Sequence, residues 1–174
     1  MGNRENKANL FLIGFSGSGK SSVGKQLAIR LDYNFIDTDR IIEENTGQTI
    51  DETLRFKGEK EFRKIETRVL SEIDYSKKNI IATGGGIPTI DKNIKIMQNE
   101  GSIIWLKASI NSIFSRLFKS KEIRPLLGSN VKKENINNLF NSRLNVYNIA
   151  DNTIDTNDKK IEQIINEITK IYGK

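Results

Sequence analysis

One segment, GFSGSGKS at positions 14–21, constrains the fold more than any other part of the chain. It follows the apolar run 10–13 and precedes a helical pattern, which is the strand–loop–helix setting of the phosphate-binding motif G-x-x-x-x-G-K-[ST]. Glycines let the backbone turn several N–H groups toward one anion, and the positive end of the following helix adds to the attraction. The motif predicts a nucleoside triphosphate site, with Lys20 on the β- and γ-phosphates and the Ser21 hydroxyl on Mg²⁺. The residues expected to hold the triphosphate are Gly17, Ser18, Gly19, Lys20, Ser21 and Ser22.

The amino-acid composition limits which protein classes and which catalytic groups are possible. A chain of 174 residues is expected to form one domain, residues 1–174, with a substantial core. It contains no apolar run near the roughly 20 residues that cross a bilayer, and its polar start has no apolar signal segment, so we expect a cytoplasmic protein. Cysteine and histidine are absent, which leaves a carboxylate, a lysine or water as the general base. Any metal is expected to be a hard ion with oxygen ligands.

The formal net charge of +6 is compatible with nucleic-acid binding, but the distribution of the charge argues against it. The lysines are scattered over the whole chain and form no basic stripe interleaved with aromatic residues. We therefore expect a solvated surface, with neither a nucleic acid nor a membrane as partner. A modest positive field also suits anionic substrates such as ATP and a carboxylate.

Short apolar runs alternate with helical patterns, which predicts βαβ units around a parallel sheet. The predicted strands are 10–13, 34–37, 79–82, 102–106 and 152–154, and clear helical patterns cover 20–31 and about 158–172. About forty residues separate the second and third strands, far more than a crossover helix needs. We expect at least two helices there, within about 38–75 and with a break near Gly58, as a small subdomain. The polar segment 118–132 predicts a lid or a disordered loop.

Two acidic residues, Asp37 and Asp39, come at the carboxyl end of the second strand, where open α/β sheets bind ligands. Residues two apart in an extended segment point the same way, so both carboxylates could face one site. One would then lie near the metal and the other near an acceptor hydroxyl. Alternatively, Asp37 or Thr38 caps the following helix. The sequence alone does not decide between these interpretations.

Three further groups have a structural and a functional interpretation each. Arg63 and Glu66 are three residues apart on a predicted helix and can therefore pair. They form either an ordinary surface ion pair or an arginine fork that Glu66 holds in place for a substrate carboxylate. The glycines 84–86 form a tight turn or let the backbone approach a ligand closely. Arg124, in the predicted lid, is a solvated charge or closes over a transferring phosphate. Arg143, on a late helix, is unremarkable by itself.

Taken together and in this order, these motifs closely resemble those of the shikimate kinase family. The resemblance extends from about Leu10 to Ile171. The segments that carry it are GFSGSGKS at 14–21, FIDTD at 35–39, GEKEFRKIE at 58–66, GGG at 84–86, RPLL at 124–127 and RLNVYNIAD at 143–151.

The resemblance implies an α/β P-loop kinase fold of the nucleoside-monophosphate-kinase type, with a five-stranded parallel sheet in the order 2-3-1-4-5. It implies a helical substrate-binding subdomain, a mobile lid and a monomer. The implied reaction is ATP-dependent, with Mg²⁺, and phosphorylates the 3-hydroxyl of shikimate in aromatic amino-acid biosynthesis.

The resemblance also assigns roles to single residues. Catalysis would fall to Lys20, Asp39 and Arg124, with Asp39 orienting the acceptor hydroxyl and taking its proton. Asp37 would support Mg²⁺ beside Ser21, and Arg116 would lie against adenine while Arg124 contacts the phosphates. Shikimate would be held by Asp39, Arg63, Gly84, Gly85, Gly86 and Arg143.

Other functions are compatible with part of this pattern. A kinase of the same fold that acts on gluconate or a nucleotide would share the phosphate loop, since two arginines favour an anionic acceptor without defining its ring. A non-catalytic ATP-binding protein is disfavoured because Asp39, Arg63 and Arg124 are all present. A GTPase would be expected to carry an N-K-x-D motif near a late strand, and the chain has none there.

Overall fold

The computed structural model describes residues 8–119 and 133–173. Its five strands form one sheet in which all neighbouring pairs are parallel, in the order β2-β3-β1-β4-β5. The strands are β1 (Asn9–Ile13), β2 (Asn34–Asp37), β3 (Asn79–Ala82), β4 (Gly101–Lys107) and β5 (Asn152–Asp155). The predicted strands and their order are confirmed, and the fourth strand is one residue longer at each end.

Helices cover both faces of the sheet. They are α1 (Lys20–Leu31), α2 (Thr38–Thr46), α3 (Ile50–Ser71), α4 (Asp91–Glu100), α5 (Ile110–Lys119), α6 (Lys133–Leu144) and α7 (Ile161–Tyr172). Two 3-10 turns, Ile87–Thr89 and Asn145–Ile149, follow β3 and α6. Within residues 8–119 and 133–173, no helix combines the length and the apolar character that a membrane crossing requires.

The central strand β1 explains why the core has two halves. All five of its residues are buried, as expected for a parallel strand covered on both faces. Because alternate side chains point to opposite faces, Phe11 and Ile13 pack with Trp105 on one side of the sheet. Leu10 and Leu12 pack on the other side, against α1 and α7.

The helices α2 and α3 occupy the long interval between β2 and β3, as predicted. A capping box starts α3, because the Thr49 side chain accepts from the backbone N–H of Glu52 and the Glu52 carboxylate accepts from Thr49. Gly58 interrupts the helix with φ 78° and ψ 162°, at the predicted break. A separate apolar cluster joins the two helices, formed by Ile42, Ile50, Phe62 and Val69.

Strand register brings three loops to one edge of the sheet. Ala82 of β3 pairs with Leu12 of β1 on one side and with Asp37 of β2 on the other. The carboxyl ends of β1, β2 and β3 are therefore level, and the segments that follow them start side by side. These segments are the phosphate-binding loop, the start of α2 and the triple-glycine loop.

Candidate active site

The loop between β1 and α1 has the backbone that a phosphate cradle requires. Gly14, Gly17 and Gly19 have φ values of 141°, 83° and 101°, a region that other residues rarely adopt. The ammonium group of the buried Lys20 donates to the carbonyls of Gly14 at 2.9 Å and Phe15 at 3.0 Å. The lysine thus lies within the curve of the loop, at the start of α1.

Asp37 caps α2, as one of the two interpretations predicted, and also contacts Ser21 of the phosphate loop. Its Oδ1 accepts from the backbone N–H of Asp39 at 3.2 Å and caps α2, while its Oδ2 accepts from the Ser21 hydroxyl at 2.6 Å. Mg²⁺ in kinases is held by one or two carboxylates together with substrate phosphates. The hydroxyl and carboxylate oxygens beside the phosphate loop fit this requirement.

Asp39 lies in a helix, so the expectation of an extended segment from Asp37 to Asp39 is wrong. The Asp37 cap starts α2 at Thr38, and Asp39 is therefore in the first turn of that helix. Its Oδ1 lies 2.5 Å from the position that a Cβ on Gly84 would take. Asp37 thus contacts Ser21 and Asp39 lies beside the triple-glycine loop, and that both carboxylates face one site stays a prediction.

Arg63 and Glu66 form a buried pair rather than a surface ion pair. The Arg63 side chain is 12% exposed and the Glu66 side chain 2%, and their charged groups are 2.7 Å apart. The other guanidinium nitrogen of Arg63 donates to Glu59 at 3.0 Å, and the guanidinium lies against Gly86. Two carboxylates thus hold the fork in a fixed direction over the loop.

Burial raises the pKa of Glu66 to about 7, and the nearby charge of Asp39 acts in the same direction. The guanidinium groups of Arg63 and Arg143 oppose this rise, because they favour the carboxylate. The charged groups that shift the pKa of Glu66 therefore lie close together, and they are the carboxylate of Asp39 and the guanidinium groups of Arg63 and Arg143.

Titration of Glu66 should make the stability of the fold depend on pH. Its pKa of about 7 exceeds the ordinary value of 4.5, so the stability it contributes is present below pH 4.5 and is lost as pH rises through 7. We expect Glu66→Gln, which cannot ionise, to remove about 2 kcal/mol of the fall in unfolding free energy between pH 5 and pH 8. Urea denaturation at several pH values measures the unfolding free energy.

The control is Glu162→Gln, at an exposed position of α7, which should keep the pH dependence of wild type. Equal pH dependence of wild type and Glu66→Gln would contradict the assignment of the raised pKa to Glu66.

Arg143 of α6 completes the group of charges and is only 5% exposed. Its guanidinium lies over the Phe15 ring of the phosphate loop, 5.8 Å from the ring centroid. Burial lowers the pKa of Arg143, and the neighbouring Arg63 charge lowers it as well, whereas Tyr147 opposes the shift. Two guanidinium groups close enough to repel each other form a natural site for an anionic group.

The triple-glycine loop lies at the centre of this arrangement. A Cβ on Gly85 would lie 3.5 Å from the Arg143 guanidinium and also 3.5 Å from the Gly14 carbonyl oxygen and the Ser16 nitrogen. A Cβ on Gly84 would overlap Asp39, and one on Gly86 would overlap Arg63. Close approach, rather than a positive φ, requires glycine at positions 84 and 86, whereas a Cβ on Gly85 would make ordinary van der Waals contacts. The loop lies between the acidic and basic side chains and the phosphate loop.

Two residues that hydrogen-bond the triple-glycine loop were not assigned from the sequence. The buried Thr38 hydroxyl accepts from the Gly84 backbone N–H at 2.8 Å, and the Tyr147 hydroxyl donates to the Gly85 carbonyl at 2.9 Å. Both bonds reach across the fold to backbone atoms of the same loop. The only sequence signals were the place of Thr38 between two aspartates and of Tyr147 four residues after Arg143.

Arg116 of α5 lies beside the phosphate loop. Its guanidinium donates to the Thr156 carbonyl at 2.5 Å, to the Thr156 hydroxyl at 3.1 Å and to the carbonyls of Gly17 and Ser18 at 3.4 and 3.3 Å. It thereby links the loop to the segment after β5, and its contact with adenine stays a prediction. Arg124 and the lid residues 120–132 lie outside the described residues, while residues 118 and 119 end α5.

Comparisons with known proteins agree on one family. The family model described as "Shikimate kinase" matches residues 16–172. A shikimate kinase of Persephonella marina is 41% identical over 92% of this chain and 96% of its own, and one of Rippkaea orientalis is 45% identical over 92% and 85%. The structure of the Acinetobacter baumannii shikimate kinase, described as a complex with shikimate, has a TM-score of 0.87 and 33% identity, covering 94% of this chain and 91% of its own.

Proposed function

The chain belongs to the shikimate kinase family, and on that premise we propose that it transfers the γ-phosphoryl group of ATP to the 3-hydroxyl of shikimate. The products are shikimate 3-phosphate and ADP, in the biosynthesis of aromatic amino acids. One observation carries the assignment of the site: Asp39, Arg63 and Arg143 all contact the triple-glycine loop, which itself contacts the phosphate loop. An acidic group for a hydroxyl and two cations for a carboxylate therefore lie beside a triphosphate cradle.

We assign the acceptor half of the site to four side chains and the triple-glycine loop. Arg63 and Arg143 bind the shikimate carboxylate with their planar forks, and Glu66 keeps the Arg63 fork in place at 2.7 Å. Asp39 accepts a hydrogen bond from the 3-hydroxyl. Residues 84–86 line the site with backbone, which leaves room for a ring against the loop.

The nucleotide half is assigned to the phosphate loop and its neighbours. Backbone N–H groups of 17–22 surround the triphosphate, and Lys20 contacts its β- and γ-phosphates. Ser21 and Asp37 would hold Mg²⁺, which would neutralise phosphate charge. Arg116 supports the carbonyl side of the loop next to the adenosine, and Arg124 closes over the γ-phosphoryl group.

The reaction then requires positioning and one proton transfer. The acceptor oxygen forms a bond to the γ-phosphorus while the bond from this phosphorus to the β,γ-bridging oxygen breaks, and ADP leaves with that electron pair. The hydroxyl proton moves to the Asp39 carboxylate. Lys20 and Arg124 offset the charge that develops on the transferred group.

The acceptor is tested with a coupled assay of ADP release over shikimate, quinate, gluconate and nucleoside monophosphates. We expect shikimate to give the highest kcat/KM, because a carboxylate and a hydroxyl are both needed to engage Arg63, Arg143 and Asp39. Gluconate keeps a carboxylate but lacks the ring, and a nucleotide lacks the carboxylate. Activity on gluconate or a nucleotide, with none on shikimate, would overturn the proposal.

A further inference from the structure

The hydroxyl of Tyr147 joins two elements of the acceptor site. Tyr147 is fully buried in the 3-10 turn after α6, and its hydroxyl donates to the Gly85 carbonyl at 2.9 Å. The Arg143 guanidinium lies next to the same glycine, 3.5 Å from the position that a Cβ on Gly85 would take. Burial raises the pKa of Tyr147 to about 12, so the phenol keeps its proton at neutral pH and continues to donate. The hydroxyl group thus holds the glycine loop at the point where Arg143 approaches it.

Packing holds the tyrosine and the arginine in place. The Tyr147 ring lies 5.6 Å from the Trp105 ring of β4, at an interplanar angle of 35°. The Arg143 guanidinium lies over the Phe15 ring, 5.8 Å from the ring centroid. Phe15 in turn packs edge-on against Phe140, with ring centroids 5.5 Å apart. Because the core fixes the tyrosine ring, its hydroxyl group can set the direction of the Gly85 carbonyl.

The bond to Gly85 also determines where the next peptide N–H points. In a trans peptide the carbonyl of one residue and the N–H of the following residue point in opposite directions, and the described residues contain no cis peptide bond. Because the Gly85 carbonyl points to the buried tyrosine, the N–H of Gly86 points away from it. Gly86 is the residue against which the Arg63 guanidinium lies.

We infer that Tyr147 is a positioning residue for the carboxylate of the acceptor. Its hydroxyl aligns the peptide between Gly85 and Gly86, so that the Gly86 N–H faces the anion that Arg63 and Arg143 bind. Tyr147 therefore governs the affinity for shikimate and has no part in nucleotide binding or in the transfer step. This inference rests on the proposed function, since it concerns the site at which the carboxylate binds.

The test is Tyr147→Phe, which removes the hydroxyl and keeps the ring against Trp105. We expect the KM for shikimate to rise about tenfold, because the Gly86 N–H is no longer held toward the carboxylate and a hydrogen bond to a charged group is worth about that much. The kcat and the KM for ATP should stay within about twofold of wild type, because the hydroxyl bonds the Gly85 carbonyl, on the acceptor side of the site. Calorimetric titration of shikimate without ATP should show the same loss in affinity, free of any contribution from turnover.

Tyr75→Phe is the matched control. The Tyr75 hydroxyl donates to the Leu70 carbonyl at 2.5 Å, in the segment between α3 and β3 and away from the triple-glycine loop. The Tyr75→Phe substitution removes a hydrogen bond to a backbone carbonyl, as Tyr147→Phe does. It should therefore lower the melting temperature by about as much as Tyr147→Phe, with no change in the KM for shikimate. A second control uses the shikimate analogue whose carboxylate is replaced by a hydroxymethyl group. Its weak binding should be the same in wild type and Tyr147→Phe.

The outcomes separate the two proposals. If wild type does not phosphorylate shikimate, the proposed function fails. If wild type is active and Tyr147→Phe binds shikimate as well as Tyr75→Phe does, only the positioning role fails. A Tyr147→Phe protein that does not fold, or one whose kcat and both KM values change together, would show that the hydroxyl supports the fold in general and would also overturn the inference.

Discussion

Replacing Asp39 by asparagine should abolish measurable turnover of shikimate while the protein still binds ATP. Asparagine keeps the size of the side chain and its place in the first turn of α2, but it cannot take the hydroxyl proton. Loss of a general base costs about 10²- to 10⁴-fold in kcat. Because the chain has no histidine, no imidazole can take over the role of the carboxylate, and the neighbouring Glu66 is paired with Arg63. Steady-state ADP release and an equilibrium titration with ATP measure the two properties separately.

The control for this variant is Asp51→Asn, the same chemical change in the exposed first turn of α3. It should leave kcat and both KM values near those of wild type. Near-normal turnover by Asp39→Asn would remove Asp39 from the catalytic role. A loss of ATP affinity equal to the loss of turnover would place the carboxylate in the nucleotide half instead.

Alanine at Gly84 or at Gly86 should damage different steps of the reaction. A methyl group on Gly84 would lie 2.5 Å from Asp39 Oδ1 and 3.1 Å from Glu66 Oε1, so the catalytic carboxylate has to move. Displacement of a reacting group by about 1 Å costs on the order of 100-fold, and we expect this loss in kcat. At Gly86 the methyl group would meet the Arg63 guanidinium, so there we expect the KM for shikimate to rise at least tenfold with a smaller change in kcat.

Both variants should fold, because neither glycine has a positive φ and the contacted atoms are ends of flexible side chains. The KM for ATP should be unchanged in both and serves as the internal control, together with melting curves. If Gly84→Ala raised only the KM for shikimate and left kcat intact, Asp39 would not be the displaced group. Equal effects of the two variants would mean that the methyl groups disturb the loop as a whole.

Local signals account for the parts of the fold and site that the sequence predicted. The apolar run 10–13, the phosphate-loop glycines and Lys20 lie within a dozen residues of one another, and their chemistry depends on that local order. The strand order, in contrast, was implied by the resemblance to the shikimate kinase family and not by a local signal. The break at Gly58 was predictable because a glycine inside a helical pattern marks an interruption.

The relations that the sequence did not predict depend on distant parts of the chain. The bond from Gly84 to Thr38 spans 46 positions, and the bond from Tyr147 to Gly85 spans 62. No local property of Thr38, between two aspartates, specifies Gly84 as its partner. The same holds for Tyr147, in the 3-10 turn after α6, and its partner Gly85. The backbone at Asp39 was predicted wrongly for a local reason, because the Asp37 cap begins a helix where an extended segment was expected.

The double use of the Asp37 carboxylate has a thermodynamic consequence for the two substrates. One oxygen holds Ser21 in the nucleotide half, and the other holds the backbone N–H of Asp39 in the acceptor half. A ligand that moves the Asp37 carboxylate through Ser21 therefore also changes the hydrogen bond between Asp37 and the backbone N–H of Asp39. Such a connection is a route for coupling between sites, and coupling free energies are reciprocal. The factor by which bound nucleotide changes the affinity for shikimate must equal the factor by which bound shikimate changes the affinity for nucleotide.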